Sequence, residues 1–271
     1  MEIVPGVHRI GGVRGSNAIL IAGEQMALVD AGIPGNADTI VEYIKSIGRN
    51  PRDLRWIVLT HFHFDHSGSA NDLVQMTGAK IVAHAEEVEE QRDGPPLLRK
   101  GNEGERPPTW YRMVRRMPAR RDTRVYPDII VDEPMQDGDV IPVMDGLHII
   151  HTPGHTAGSI SPILMGPDRV LFLGDSVLNN VNRLSRPLMW DRSKRRTLDA
   201  SLRKLRDLEA DAASFGHGPP LTVDVMTKIR GLTDRPYDLP TWRIVLKNWR
   251  TLKRFADSAR GDGNWTGGAP A

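Results

Sequence analysis

The stretch "THFHFDHSG", residues 60–68, sets three histidines and an aspartate within six positions, directly after the apolar run "LRWIVL". A β-rich run of that kind fills the middle of a sheet, so the polar sequel falls at the end of a buried strand. In extended backbone, residues two apart point the same way, so His61 and His63 can face one point while Asp65 and His66 are carried past it as the chain turns. Imidazole and carboxylate groups so concentrated suit a borderline metal such as zinc. The chain has no cysteine, so any ion must be held by nitrogen and oxygen, and neither a disulfide framework nor a cysteine nucleophile can contribute.

The remaining chain alternates short apolar runs with amphipathic ones. "NAILIAGEQMALVDAG", residues 17–32, reads as two strands, the second ending at Asp30, and a helix is predicted over 36–48, where Ile40, Val41, Ile44 and Ile47 recur at helical spacing before Gly48. Residues 69–87 read as helix, turn and strand. Strands are expected again in "DIIV", "DVIPV", "LHIIHT", "SISPILM" and "RVLFLGD". A helix over 197–211 carries a stripe of Leu198, Leu202, Leu205 and Leu208, "AASFGHGPP" reads as a strand entering a loop, and further helices are expected near 222–232 and 240–258. The Pro-rich, charged stretch 86–125 reads as an inserted cap or loop with one short helix. At 271 residues the expectation is one domain over 1–260 with a mobile tail at 261–271. Both halves end strands in histidine or aspartate loops, which points to two sheets in one layered domain with the site across their edges.

Three later strand ends repeat the theme. "HTPGHTAGS" follows "LHII", "LFLGDS" sets Asp175 after an apolar run, and "SFGHG" sets His217 before a glycine. In this order the motifs resemble those of the metallo-β-lactamase-like hydrolases, over roughly residues 5–220, and most closely a glyoxalase II and lactonase branch. The resemblance implies an α+β fold, the four-layer αβ/βα sandwich of that family. It implies that His61, His63 and His155 hold one metal, that Asp65, His66 and His217 hold a second, and that Asp175 bridges them. It makes Asp30 a structural residue that fixes an imidazole, and His151 a supporting residue. His84 could line the cleft or serve locally, His8 and His148 need no functional role, and Ser67 and Ser176 read as local turn residues.

Two divalent ions, zinc in first place with iron or manganese as alternatives, would acidify a bridging water for attack on a carbonyl or phosphoryl centre, with Asp65 as the catalytic proton-handling residue. The expected substrate is a small ester, lactone or thioester. A phosphodiester is the competing class because Arg112, Arg115, Arg116, Arg120 and Arg121 could neutralise an anion. A β-lactam and a persulfide, the latter with one iron, rank below these. The net charge of +2 and the lack of an aromatic stacking series argue against nucleic acid. No apolar run is long enough for a bilayer and the N-terminus lacks a leader-like h-region, which reads as cytoplasmic. Pro95, Pro96, Leu97, Leu98, Trp110, Tyr111 and Met113 would wall the substrate pocket or join two copies as a homodimer.

Overall fold

The computed structural model describes residues 1–92, 128–180, 183–189, 191–235 and 237. The apolar and arginine residues of the insert, the 240–258 segment and the 261–271 tail lie outside the described residues.

Seven strands form the first sheet in chain order: β1 (Glu2–Val4), β2 (Val7–Arg9), β3 (Ile19–Ala22), β4 (Met26–Val29), β5 (Leu54–Val58), β6 (Lys80–His84) and β7 (Glu133–Met135). Pairing is antiparallel through β4 and parallel from β4 to β7. The second sheet contains β8 (Val140–Ile141), β9 (Leu147–His148), β10 (Ile163–Leu164), β11 (Val170–Phe172) and β14 (Ala212–Ser214), in the order β14-β11-β10-β9-β8. A small hairpin of β12 (Leu178–Asn179) and β13 (Leu184–Ser185) stands apart.

Period-two alternation divides the apolar residues among three cores. Leu28, Ile57 and Ile81 face α1 (Ala37–Ser46) and α3 (Ala70–Thr77), whereas Val29, Val58 and Val82 face the second sheet. Across that interface stand Ile149, Leu164, Val170 and Phe172. On the far side, Leu171 and Leu173 meet Leu198, Leu202 and Leu205 of α5 (Arg192–Leu205) and Ile229 of α6 (Val225–Thr233). Helices, sheet, sheet and helices make the expected αβ/βα sandwich. The two remaining helices, α2 (Phe64–Ser67) and α4 (Ala85–Arg92), follow β5 and β6 at the strand ends.

Local chemistry places several boundaries where periodicity did not. The strand expected at "DIIV" begins instead at Glu133, because the Asp132 side chain accepts the Ile81 N–H (2.8 Å) and the Asp132 N–H donates to Ile81 (2.9 Å). The leucine-stripe helix starts at Arg192 rather than 197, since Asp191 caps it by accepting the Ser193 N–H at 2.7 Å, and it stops at Leu205. Residues 86–92, expected to open the insert, belong to helix α4. β1 was not anticipated, as three residues are too few to display alternation. Among the described residues no helix is long and apolar enough to cross a membrane.

Phe172 lies between the sheets with 1% exposure. Phe172→Ala is expected to cost about 3–5 kcal/mol, read as a lower urea midpoint at unchanged slope in chelator-treated protein.

Candidate metal centre

The site is built where strands of both sheets end side by side. β5 runs out through Leu59 and Thr60 to His61, and its parallel neighbour β4 ends beside Asp30. β11 leads to Asp175 and its parallel neighbour β14 leads to His217, so both are offered at one edge of the second sheet. The Ile160 N–H donates to the Thr60 carbonyl (3.0 Å) and joins the edges of the two sheets. His151 and Ile160 form an isolated bridge from which the His155 loop projects.

His63 is the extended cap of α2, a single turn that carries Asp65 and His66. This is the change of direction anticipated in "THFHFDHSG". His63 Nδ1 lies 3.0 Å from His61 Nε2 and 3.0 Å from His155 Nε2, so three rings converge. On the other side, His217 Nε2 lies 3.3 Å from Asp65 Oδ2. Asp175 stands between the sets. Its Oδ2 is 3.6 Å from His155 Nε2, while Oδ1 is 3.4 Å from His66 Nε2 and 3.6 Å from His217 Nε2. All seven residues singled out in the sequence are thus in one cluster, grouped as His61–His63–His155, as Asp65–His66–His217, and as His61–His66–Asp175.

The surrounding hydrogen bonds set which ring nitrogen is presented. Asp30, buried and at φ 59°, takes His66 Nδ1 at 2.8 Å and accepts the Thr60 N–H at 2.8 Å. The Thr60 hydroxyl donates to the same carboxylate (2.9 Å) and can therefore accept from His61 Nδ1 at 3.1 Å. Both rings turn Nε2 toward the cluster, the arrangement by which second partners orient metal-binding histidines. His66 Nε2 and Asp175 Oδ1 are fully buried, face each other at 3.4 Å and meet no hydrogen-bond partner of good geometry among the described residues, as suits donor atoms directed at a cation. The donor set of imidazoles and carboxylates fits two divalent ions.

The two halves differ electrostatically. Burial, reinforced by the neighbouring charge of His66, holds His61 well below the ordinary histidine range, and burial with His63 lowers His155 to about 3. These rings are neutral and ready to donate lone pairs. Burial works against protonation of His66 too, but Asp30 and Asp175 outweigh it and raise the ring well above its usual value. His217 is raised likewise, chiefly by Asp175 against the opposing effect of burial. Burial would lift the Asp65 and Asp175 carboxyls, yet His217 and His66 overrule it and both are depressed.

A family model described as the metallo-beta-lactamase superfamily matches residues 11–217. The chain belongs to that superfamily. Fold and donor set together make it a metal-dependent hydrolase. It is 28% identical to the probable metallo-hydrolase YflN of Bacillus subtilis, over 72% of this chain and 76% of that one. It is also 28% identical to the hydroxyacylglutathione hydrolase GloC of Haemophilus influenzae, over 73% and 82%. A solved subclass B3 metallo-beta-lactamase with an active-site glutamic acid superposes with a TM-score of 0.64 at 20% identity, covering 96% of this chain and 91% of that one, which shows the fold.

In this superfamily member the other histidines take local roles. His8 packs edge-on to Tyr43, and His148 pairs within the second sheet. His84, Glu86 and His151 also approach one another, but the rings of His84 and His151 are stacked at 3.8 Å and 12°. Lone pairs in two nearly parallel planes do not converge on one ion, so the pair is a buttress beneath the His155 loop. Ser67 Oγ donates to the His63 carbonyl (3.2 Å) and Ser176 Oγ faces Thr152, the local roles expected of them. A depression of about 370 Å³ lined by Ile150, Ile163, Met165, Arg169 and Leu208 shares no residue with the cluster. Thr60, Asn17, Thr156 and Glu87 went unnoticed in the sequence, where nothing local marks a residue whose partners lie far along the chain.

Because the pKa values of His66 and His217 are raised while those of His61 and His155 are lowered, filling the Asp65–His66–His217 group should displace more protons than filling the three-histidine group. In chelator-stripped protein, one step of zinc uptake should release protons and tighten about tenfold per pH unit per proton as pH rises above 6.5 toward the raised values. Calorimetric titration in buffers of different ionisation enthalpy measures this. A Cβ at Gly216 would overlap Asp175 Oδ1 and His66 Cε1, so Gly216→Ala should lower bound metal per chain by elemental analysis.

Proposed function

We propose that this protein is a dinuclear zinc hydrolase of a small ester, lactone or thioester. His61, His63 and His155 would hold one ion, Asp65, His66 and His217 the other, and Asp175 would span both. The observation that carries this reading is the placement of Asp175, one oxygen toward His155 and the other toward His66 and His217. Nitrogen donors dominate the set and no thiolate is available, which favours zinc over softer or harder ions.

Two bound cations would supply an acidified water and neutralise the negative charge that develops on the substrate oxygen. The chain's own contribution is orientation and proton handling. Asp65 Oδ2, which faces His217 Nε2 at 3.3 Å, would accept a hydrogen bond from the attacking water and line it up with the carbonyl carbon. Asp65 would take the proton of that water and pass it to the leaving alkoxide or thiolate. The hairpin of β12 and β13 adjoins His217, with the Asn179 N–H directed at the His217 carbonyl (3.3 Å), and forms one wall for the acyl group. The likeness to a hydroxyacylglutathione hydrolase supports the thioester and ester class ahead of phosphodiesters.

Metal content and turnover of a panel of lactone, thioester, carboxylester, phosphodiester and β-lactam substrates test the reading, before and after chelation and zinc restoration. The expected result is about two zinc ions per chain and chelator-sensitive turnover of one carbonyl class. His61→Ala and His155→Ala should each lose about one ion and at least about a hundredfold in kcat/KM, with His8→Ala unchanged. Full metal and full activity in both ligand variants would refute the assignment, and preferential phosphodiester turnover would move the substrate class.

A further inference from the structure

Glu87, on the first turns of α4, is a carboxylate with 2% exposure. Its Oε2 accepts the backbone N–H of Phe62 at 2.8 Å. Its Oε1 accepts the Gly158 N–H at 3.0 Å and the Thr156 hydroxyl. Phe62 stands between His61 and His63, and Thr156 directly follows His155. The two oxygens of one buried side chain therefore grip the two loops whose rings meet at His63 Nδ1.

The grip is rigid. Ser159 Oγ accepts the Thr156 N–H (3.0 Å) and pairs with the Thr156 hydroxyl (2.6 Å), holding that hydroxyl in place. A Cβ on Gly158 would overlap the Glu87 backbone nitrogen, so helix and loop are in direct contact. The stack of His84 on His151 braces the same loop from the end of β6. The opposite half of the cluster is tied by a different side chain. Asn17 Nδ2 donates to the carbonyls of Phe215 (2.8 Å) and Gly218 (2.7 Å) on either side of His217, and the Ser16 N–H donates to the Asp65 carbonyl (2.9 Å).

We infer that Glu87 is the positioning residue of the three-histidine group, setting the separation of the His61–His63 loop from the His155 loop and with it the affinity for the ion these rings hold. This rests on the ligand assignment under Proposed function. An ionised carboxylate only accepts, which suits the backbone N–H groups and hydroxyl around it. A glutamine of the same length would turn an NH2 group toward Phe62 or Gly158, setting donor against donor and releasing one loop from the other.

The test is zinc titration of chelator-stripped, full-length protein in competition with a chromophoric chelator, with the thermal midpoint of the stripped protein measured alongside. Wild type is expected to take up two ions in two steps. Glu87→Gln should weaken one step about 10–100-fold and leave the other within about twofold. In a His155→Ala background, which lacks the three-histidine step, Glu87→Gln should leave the remaining step unchanged. Thr156→Val removes one donor without removing the carboxylate, should weaken the same step by a smaller factor, and carries the test if Glu87→Gln does not fold. Wild-type affinity at both steps in these variants overturns the inference, as does an equal loss at both steps accompanying a lower midpoint. If wild type itself binds no zinc through His61 and His155, the ligand assignment falls and this inference falls with it.

Discussion

The contact between Asp30 and His66, 2.8 Å long and almost wholly shielded from water, is the interaction on which the rest of the centre depends. Asp30 ends β4 in a left-handed conformation that costs a non-glycine residue about 1–2 kcal/mol. That turn aims its carboxylate at α2 and at Thr60 together, so three consecutive parts of the first sheet's edge are locked by one side chain. A carboxyl group buried this deeply is tolerated only where its oxygens are matched, and here a ring, a hydroxyl and a backbone N–H match them. His66 and His61 inherit their orientation from it.

From that anchor the centre separates into two halves of different character. The three-histidine half contains His61 and His155, whose pKa values burial lowers, and its loops are tied through Glu87. In the other half the carboxylates raise the pKa values of His66 and His217 while the histidines depress the carboxyls, and its loops are tied through Asn17. Asp175 belongs to both. The division follows from topology, since the parallel pairs β4–β5 and β11–β14 each deliver two polar loops to the same end of their sheet.

Much of this was legible in the chain. The strands β3 to β6 and β11, the helices α1 and α3, and the layered αβ/βα arrangement follow from alternation and helical spacing, because apolar burial in sheets and helices leaves those periods in the sequence. Boundaries were less legible wherever a side chain substituted for the backbone: Asp132 takes a ladder position before β7, and Asp191 starts α5 early. Of the residues around the cluster, those that would touch an ion carry unusual local motifs. Those that hold them in place, such as Glu87 among neighbouring glutamates, do not.

The sequence by itself determined that histidines and aspartates would stand at strand ends, and which residue types would meet a cation, because donor chemistry and strand period are local properties. Only the tertiary structure decided which loops face one another, which nitrogen each ring presents, and that Glu87 spans Phe62 and Gly158. Those outcomes depend on distances between residues far apart in the chain, and such distances exist only once two sheets have packed through Val58, Val82, Val170 and Phe172.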